Sequence, residues 1–252
     1  MRTIVAKAGL VAALVLTSFT TGAAVFLMGG SYSESFDGIG DGLPDGWSVR
    51  TGATADSLGT PANLVTEATS WGDSGGAFKN VASADELTSG ASTASQAAST
   101  DRALGLRQGG SFGDPGAAFV FEIPNTTGLS DFTLSFNLQM LSVQTRSTTW
   151  TFDYRIGDTG DFVVLGSYDD PGVFGSTPIT FTGDQLGAWN DQSSTIWFRI
   201  VALTDSVGTG SRDTIGIDDF ALTFTAVPEP SGAGLALISG ALFLLHTARR
   251  KS

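Results

Sequence analysis

The 252-residue chain has no cysteine and one histidine, and its acidic side chains outnumber its basic ones 25 to 13. Without cysteine there are no disulfides, no thiol chemistry and no thiolate metal sites, so an exported fold must rely on its core. The lone histidine, His246, lies in an apolar run near the C-terminus. Everything before that run lacks an imidazole for general-base work or for a zinc or copper site. Most hydrolase mechanisms thereby lose their usual proton carrier. Phosphate-cradling loops, dinucleotide fingerprints and histidine clusters are missing too, so no cofactor motif is present.

These absences dispose of one tempting match. Gly72-Asp73-Ser74-Gly75-Gly76 reads like the nucleophile loop of a trypsin-like serine protease. Such an enzyme needs a histidine to take the serine proton, and these residue types are common turn chemistry. Basic charge is scarce as well. Between Ser31 and Ala226, eight Arg or Lys face 24 Asp or Glu, a net charge of −16. That surface repels phosphate backbones and anionic membranes, which argues against nucleic acid as a partner. It suits divalent cations and neutral polymers.

Both ends of the chain read as addresses. Arg2 and Lys7 precede an apolar stretch from Ala8 to Leu16, then small residues through Ala24. This is the order of a secretory signal peptide over residues 1–24, with cleavage expected after Ala23 or Ala24. At the other end, residues 227–252 have three parts. Val227-Pro228-Glu229-Pro230 cannot continue a regular strand or helix. Gly232 to Ala248 follows with no charged side chain, and Arg249-Arg250-Lys251 closes the chain. The run of 17 residues is at the short end of the roughly 17–25 that span a bilayer as a helix. The basic end stays cytoplasmic, leaving what precedes it outside.

That three-part order resembles the PEP-CTERM protein-sorting signal of Gram-negative bacteria, with Pro228-Glu229-Pro230 at the family's namesake motif. The resemblance implies an exosortase-type processing enzyme as partner and a membrane-anchored precursor in transit through the inner membrane. It also implies delivery to the cell envelope, the outer surface or an extracellular matrix.

Residues 31–226 remain as one exported domain, long enough for a sizeable core. Alternating apolar residues predict strands over Ala117–Ile123, Phe132–Leu141, Thr148–Ile156, Phe162–Tyr168, Pro178–Thr182, Ser194–Thr204 and Thr214–Thr225. In the last of these, Phe220, Leu222 and Phe224 face inward. Gly, Asp, Ser and Thr turns join them, which argues for an antiparallel β-sandwich. The stretch from Thr54 to Arg107 reads differently. Ala82–Thr100 is small and polar, with little to bury, and is expected to be a long surface loop with a helical turn near Ser83–Leu87. The expected fold is therefore all-β, flanked by a signal peptide and a transmembrane sorting helix.

The domain opens with Ser35-Phe36-Asp37-Gly38 and Leu43-Pro44-Asp45-Gly46-Trp47 and closes with Ile217-Asp218-Asp219-Phe220. This pairing resembles exported bacterial jelly-roll modules of the carbohydrate-binding and adhesin type. The resemblance implies that the first and last strands lie side by side. It also implies a structural calcium held by Glu34 or Asp37 together with Asp218 or Asp219, hard oxygen donors of the kind calcium takes.

The expected function is a non-enzymatic structural or adhesive envelope or matrix protein. An alternative is a carbohydrate-binding module for exopolysaccharide or another glycan. Trp71, Trp189 and Trp47 are the candidates to stack on sugar rings, with Trp71 and Trp189 preferred for their loop-like contexts, while Trp150 and Trp197 are assigned to the core. A glycoside hydrolase working with paired carboxylates needs no histidine, but nothing in the sequence singles out a pair.

Overall fold

The computed structural model describes residues 24–227. Residues 1–23, expected to be most of a signal peptide, and the expected sorting tail from Pro228, Glu229 and Pro230 to Arg249 and Arg250 lie outside the described residues. Among the described residues no helix is long and apolar enough to cross a membrane.

In chain order the strands begin with β1 (Ser31–Glu34), β2 (Trp47–Thr51), β3 (Thr60–Pro61), β4 (Leu64–Thr69) and β5 (Ala77–Ala82). Helix α1 (Thr93–Ala98) follows, then β6 (Arg102–Arg107), β7 (Ala118–Ile123), β8 (Leu129–Ser142), β9 (Arg146–Ser147) and β10 (Thr149–Ile156). The chain continues through β11 (Val163–Asp169), β12 (Gly175–Phe181), α2 (Gly183–Leu186), β13 (Ile196–Val201), β14 (Val207–Gly208) and β15 (Thr214–Ala226).

Two sheets face each other. The first has the order β12-β8-β15-β6-β5-β4, with β1 also paired to β15, and the second the order β11-β10-β13-β7-β2-β3. We call them the front and back sheets. All pairings are antiparallel except β4 with β5, a local departure from the expected antiparallel order. The inner positions of β8 (Phe132, Leu134, Phe136, Leu138 and Met140) are all buried. Trp150, Phe152 and Tyr154 of β10 face them from the back sheet, buried in the same core. Trp47 sits among aromatic rings, its centroid 5.0 Å from Phe36, 5.1 Å from Phe121 and 4.9 Å from Phe220. With each fully buried large apolar side chain contributing about 1.5–3 kcal/mol, such a core can stand without disulfides.

The Thr54–Arg107 stretch contributes β3, β4, β5 and β6. Residues 83–100 form the expected long loop, but its helix lies at Thr93–Ala98 rather than near Ser83–Leu87, a correction. The segment between β5 and β6 also buries more than its composition suggested. Trp71, Val81, Ala82, Ala84, Ala103 and Leu141 form a second apolar cluster on the outer face of the front sheet. Two glycines let this roof sit close. A Cβ on Gly105 would come within 2.6 Å of Val81, and one on Gly216 would stand 3.0 Å from Leu141 and 3.2 Å from Ala103.

The first and last strands are neighbours. Ser31 stands opposite Thr223 and Glu34 opposite Phe220 in antiparallel register. The start of β1 and the end of β15 therefore lie at the same end of the front sheet. Phe224 N donates to Gly30 O at 3.0 Å and Val227 N to Gly128 O at 2.8 Å, so both ends of the described segment are held there.

Candidate functional site

In a regular strand, consecutive side chains point to opposite faces. Strand β15 breaks that rule where Asp218 and Asp219 sit. Its register against β8 shifts between Asp218 and Ala221, and Asp219 takes the left-handed φ of +47°, a conformation that aspartate tolerates better than most residues. Such a bulge re-aims side chains. Here it brings both carboxylates to the outer face, where Asp85 of the roof joins them with ligand oxygens all within 4.8 Å of one another.

The surroundings are polar and ordered. Gln139 Nε2 donates to Asp218 Oδ2 and to Asp85 Oδ2, each at 3.3 Å, and to Ser83 Oγ at 2.9 Å. Asn137 Nδ2 donates to Asp219 at 3.1 Å and Asp85 at 3.3 Å, while Ser176 Oγ donates to Asp85 Oδ1 at 2.5 Å. Asp218 is 1% exposed. Burial, followed by the charges of Asp219 and Asp101, pushes its carboxyl up to about 8. Nearby Asp101 is pushed up to about 6, by burial first and then by Asp37, Glu86, Asp85 and Asp219. A buried carboxylate among other carboxylates resists ionising until a cation arrives.

The donor set fits a hard cation such as calcium, but the residues differ from those the resemblance implied. Asp85 belongs to the group of three; Glu34 and Asp37 do not. Asp37 spends both oxygens on structure, accepting from Arg102 N at 2.9 Å and from Ser35 Oγ at 2.9 Å. Glu34 accepts from Phe36 N at 2.8 Å. It still lines, with Asp219, a cleft of about 410 Å³ beside β1. Asp85 escaped the sequence reading because its loop looked purely polar. A signal was available: Asn137 and Gln139 alternate with Phe136, Leu138 and Met140, which puts two amides on the outer face of a central strand.

Farther along the same face lies a second concavity of about 380 Å³. Its walls include Trp71, Phe174, Leu141 and Val143, and Ser89 and Ser142 add hydroxyls. Trp71 is fixed on three sides. Its backbone N donates to Gln96 Oε1 at 2.8 Å, its Nε1 to Ala82 O at 2.7 Å, and its carbonyl accepts from Thr214 Oγ1 at 2.8 Å. Phe174 stands over it with centroids 5.0 Å apart.

The two tryptophans preferred for sugar stacking part company here. Trp71 is only 3% exposed but forms a wall of the cleft. Trp189 is corrected. It is 0% exposed, within 5.7 Å of Tyr154 and 6.0 Å of Phe132, so its ring offers no face to a ligand. Its loop-like sequence context hid a short 3-10 turn, Gly187–Trp189, that drops the ring into the core. Trp197, assigned to the core, is instead half-buried on the outer face of the back sheet, where its Nε1 donates to Asp158 at 3.4 Å.

No protein-family model matches the chain, and no curated protein matches it. Among solved structures, it is similar to the K3 cleaved adhesin domain of Lys-gingipain from Porphyromonas gingivalis at 15% identity, covering 76% of this chain and 98% of that one, with a TM-score of 0.41. It is also similar to a xylan-binding module at 16% identity, covering 46% and 75%, with a TM-score of 0.34. A carbohydrate-binding module specific for non-crystalline cellulose matches at 12% identity, covering 62% and 87%, with a TM-score of 0.34. Likeness at this level carries no argument about function.

Proposed function

We propose that this chain is an exported envelope or matrix protein, processed at its C-terminal tail by an exosortase-type enzyme, whose β-sandwich binds other molecules and does not transform them. The observation that carries this reading is the antiparallel pairing of β1 with β15, which holds the first and last strands of the domain side by side at one edge of the described segment. A domain whose leader and tail leave from one end keeps its opposite end free for contact. Strand β15 ends at Ala226, directly before the Val227-Pro228-Glu229-Pro230 motif. The absence of histidine from residues 31–226 supports a non-catalytic role.

Calcium belongs to this proposal as a structural ion. Asp85, Asp218 and Asp219 would hold it, and it would neutralise their mutual repulsion and fasten the roof to β15. A second reading, glycan binding, is favoured by the aromatic cleft on the same face.

Intact mass spectrometry of the protein from each fraction of its native host tests the sorting reading. The expected species starts near Val25, ends near the Pro228-Glu229-Pro230 motif and is found in the outer envelope or matrix. A species that keeps its apolar tail and stays in the inner membrane would make the tail a plain anchor and remove the matrix role.

A further inference from the structure

Among the described residues the large apolar side chains left exposed are valines, with two exceptions. Phe26 is 71% exposed and Met28 79%, and both lie on the segment that leads into β1. Their neighbours point the other way. Val25 is buried in the core and Leu27 packs against it. The fit is close, since a Cβ on Gly46 would come within 2.7 Å of a Val25 methyl and 3.0 Å of Phe121. Val25 and Leu27 therefore fix the segment, while Phe26 and Met28 are held facing away from the core. This is also the end from which the tail leaves. Gly29 and Gly30, at φ of +74° and +88°, turn the segment into β1, and Phe224 N donates to Gly30 O. Val227, 49% exposed, follows the last strand here. A group of apolar side chains on an otherwise polar surface marks a contact site more often than scattered single ones do.

The length of chain that follows says what covers them. Pro228 to Ser231 separate Val227 from the uncharged run that begins at Gly232, a reach of at most about 18 Å at full extension. With that run in a bilayer, the headgroup layer takes up about 5–8 Å of the reach. This end of the domain is thereby kept close against the lipid. A domain charge of −16 offers no attraction to an anionic surface, so what touches the bilayer has to be apolar. From this we infer that Phe26 and Met28 form a foot that dips into the lipid interface of the membrane holding the tail, so that the precursor stands end-on. The inference rests on the sorting reading above and goes further by naming the surface that meets lipid and the orientation it imposes. Cleavage at the tail would leave the foot alone. A single small apolar anchor holds reversibly where two signals hold stably, so the contact that keeps the motif at the membrane also lets the product leave.

Because the chain has no cysteine, one introduced cysteine carries a spin label without background. Val207 supplies the comparison: it is 75% exposed and lies beyond the Ser142 end of β8, whose other end, Leu129, pairs with Ala226. Tail-bearing protein, exported and freed of its leader, is reconstituted in phosphatidylcholine vesicles with a nitroxide at Met28→Cys or at Val207→Cys. At position 28 the label should collide more with dissolved oxygen than with a water-soluble nickel chelate, and at position 207 the order should reverse. Phe26→Ser in the Met28→Cys chain should restore collisions with the chelate. Equal access of the chelate to both labels, in protein that floats with the vesicles, would overturn the foot and leave the membrane reading of the tail standing. Shielding of both labels would overturn the end-on orientation. Protein that does not float with the vesicles would overturn the foot and the membrane span together.

Discussion

Two buried aspartates, Asp153 on the outer face of the back sheet and Asp218 on the outer face of the front sheet, have the same exposure of 1% and opposite company. Asp153 receives both ends of a guanidinium. Arg199 Nε donates to its Oδ1 at 2.8 Å and Nη2 to its Oδ2 at 2.7 Å. The loop that follows β2 closes over this pair, with Arg199 Nη1 donating to Thr54 O at 2.9 Å and Ser57 O at 2.7 Å. Phe162 stacks on the guanidinium, 3.3 Å from its ring centroid. Asp218 has amide donors but no salt bridge among the described residues, and two further carboxylates stand beside it. The back face supplies Asp153 with its own cation and is sealed. Among the described residues no cation is paired with the Asp85, Asp218 and Asp219 cluster on the front face, which is what a site made for an incoming ion would show.

The largest effect should come from breaking the internal pair. Arg199→Met leaves Asp153 buried and unpaired, and breaking such a pair costs about 3–5 kcal/mol. Urea denaturation should show the midpoint falling sharply. If the cost stayed near that of an exposed ion pair, the back face would not be sealed as described.

A second effect is set by pH. Burial, with the hydrogen bond to Asp170, pushes the Asp213 carboxyl up to about 7, while Gln144 N and Arg107 act in the opposite direction. Because the folded state holds this proton more tightly than the unfolded chain, its stabilisation is full below about pH 4. It is lost progressively as pH rises through 7. Melting temperatures measured from pH 4 to 8.5 should therefore fall, and Asp213→Asn should flatten that fall. A melting temperature that rose over the same range in wild type and variant alike would refute the assignment.

The smallest effect concerns the roof. Ser92 caps α1, accepting from Ser95 N at 3.1 Å. Ser92→Ala should cost about 0.5–1 kcal/mol, read as faster hydrogen exchange in residues 93–98 with little change in the back sheet.

The same contrast explains what the sequence revealed. The long strands from β7 onward were legible, most from inward residues that alternate with polar ones, as in Phe132 to Met140, and β13 from its apolar run; the two-residue strands β9 and β14 were not. Strands β5 and β6 were not. The outer positions of β5 and β6 carry Lys79 and Arg107, and Arg102 ends the row of Leu104 and Leu106; all three charges read as solvent-facing, but Lys79, Arg102 and Arg107 are 2%, 5% and 3% exposed. Each charge is answered locally: Lys79 Nζ reaches Asp73 at 2.5 Å, Arg102 Nε reaches Asn80 at 2.6 Å, and Arg107 Nη1 reaches Thr214 at 2.9 Å. A periodicity argument cannot see a loop that returns to cover a strand. The candidate cation site was half legible for a related reason. The adjacent Asp218 and Asp219 stood out in the closing strand, whereas Asp85 arrives from that covering segment.

Isothermal titration of calcium into the purified, chelator-treated protein, paired with its melting temperature, tests the front-face account most directly. The account predicts one saturable site that Asp218→Asn abolishes. At a calcium concentration about 100 times Kd, binding should stabilise the fold by about 2.7 kcal/mol, or about 5–10 °C for a domain of this size. No heat of binding, and a melting temperature indifferent to chelation, would contradict it and leave Asp218 as a buried, protonated acid held by Gln139.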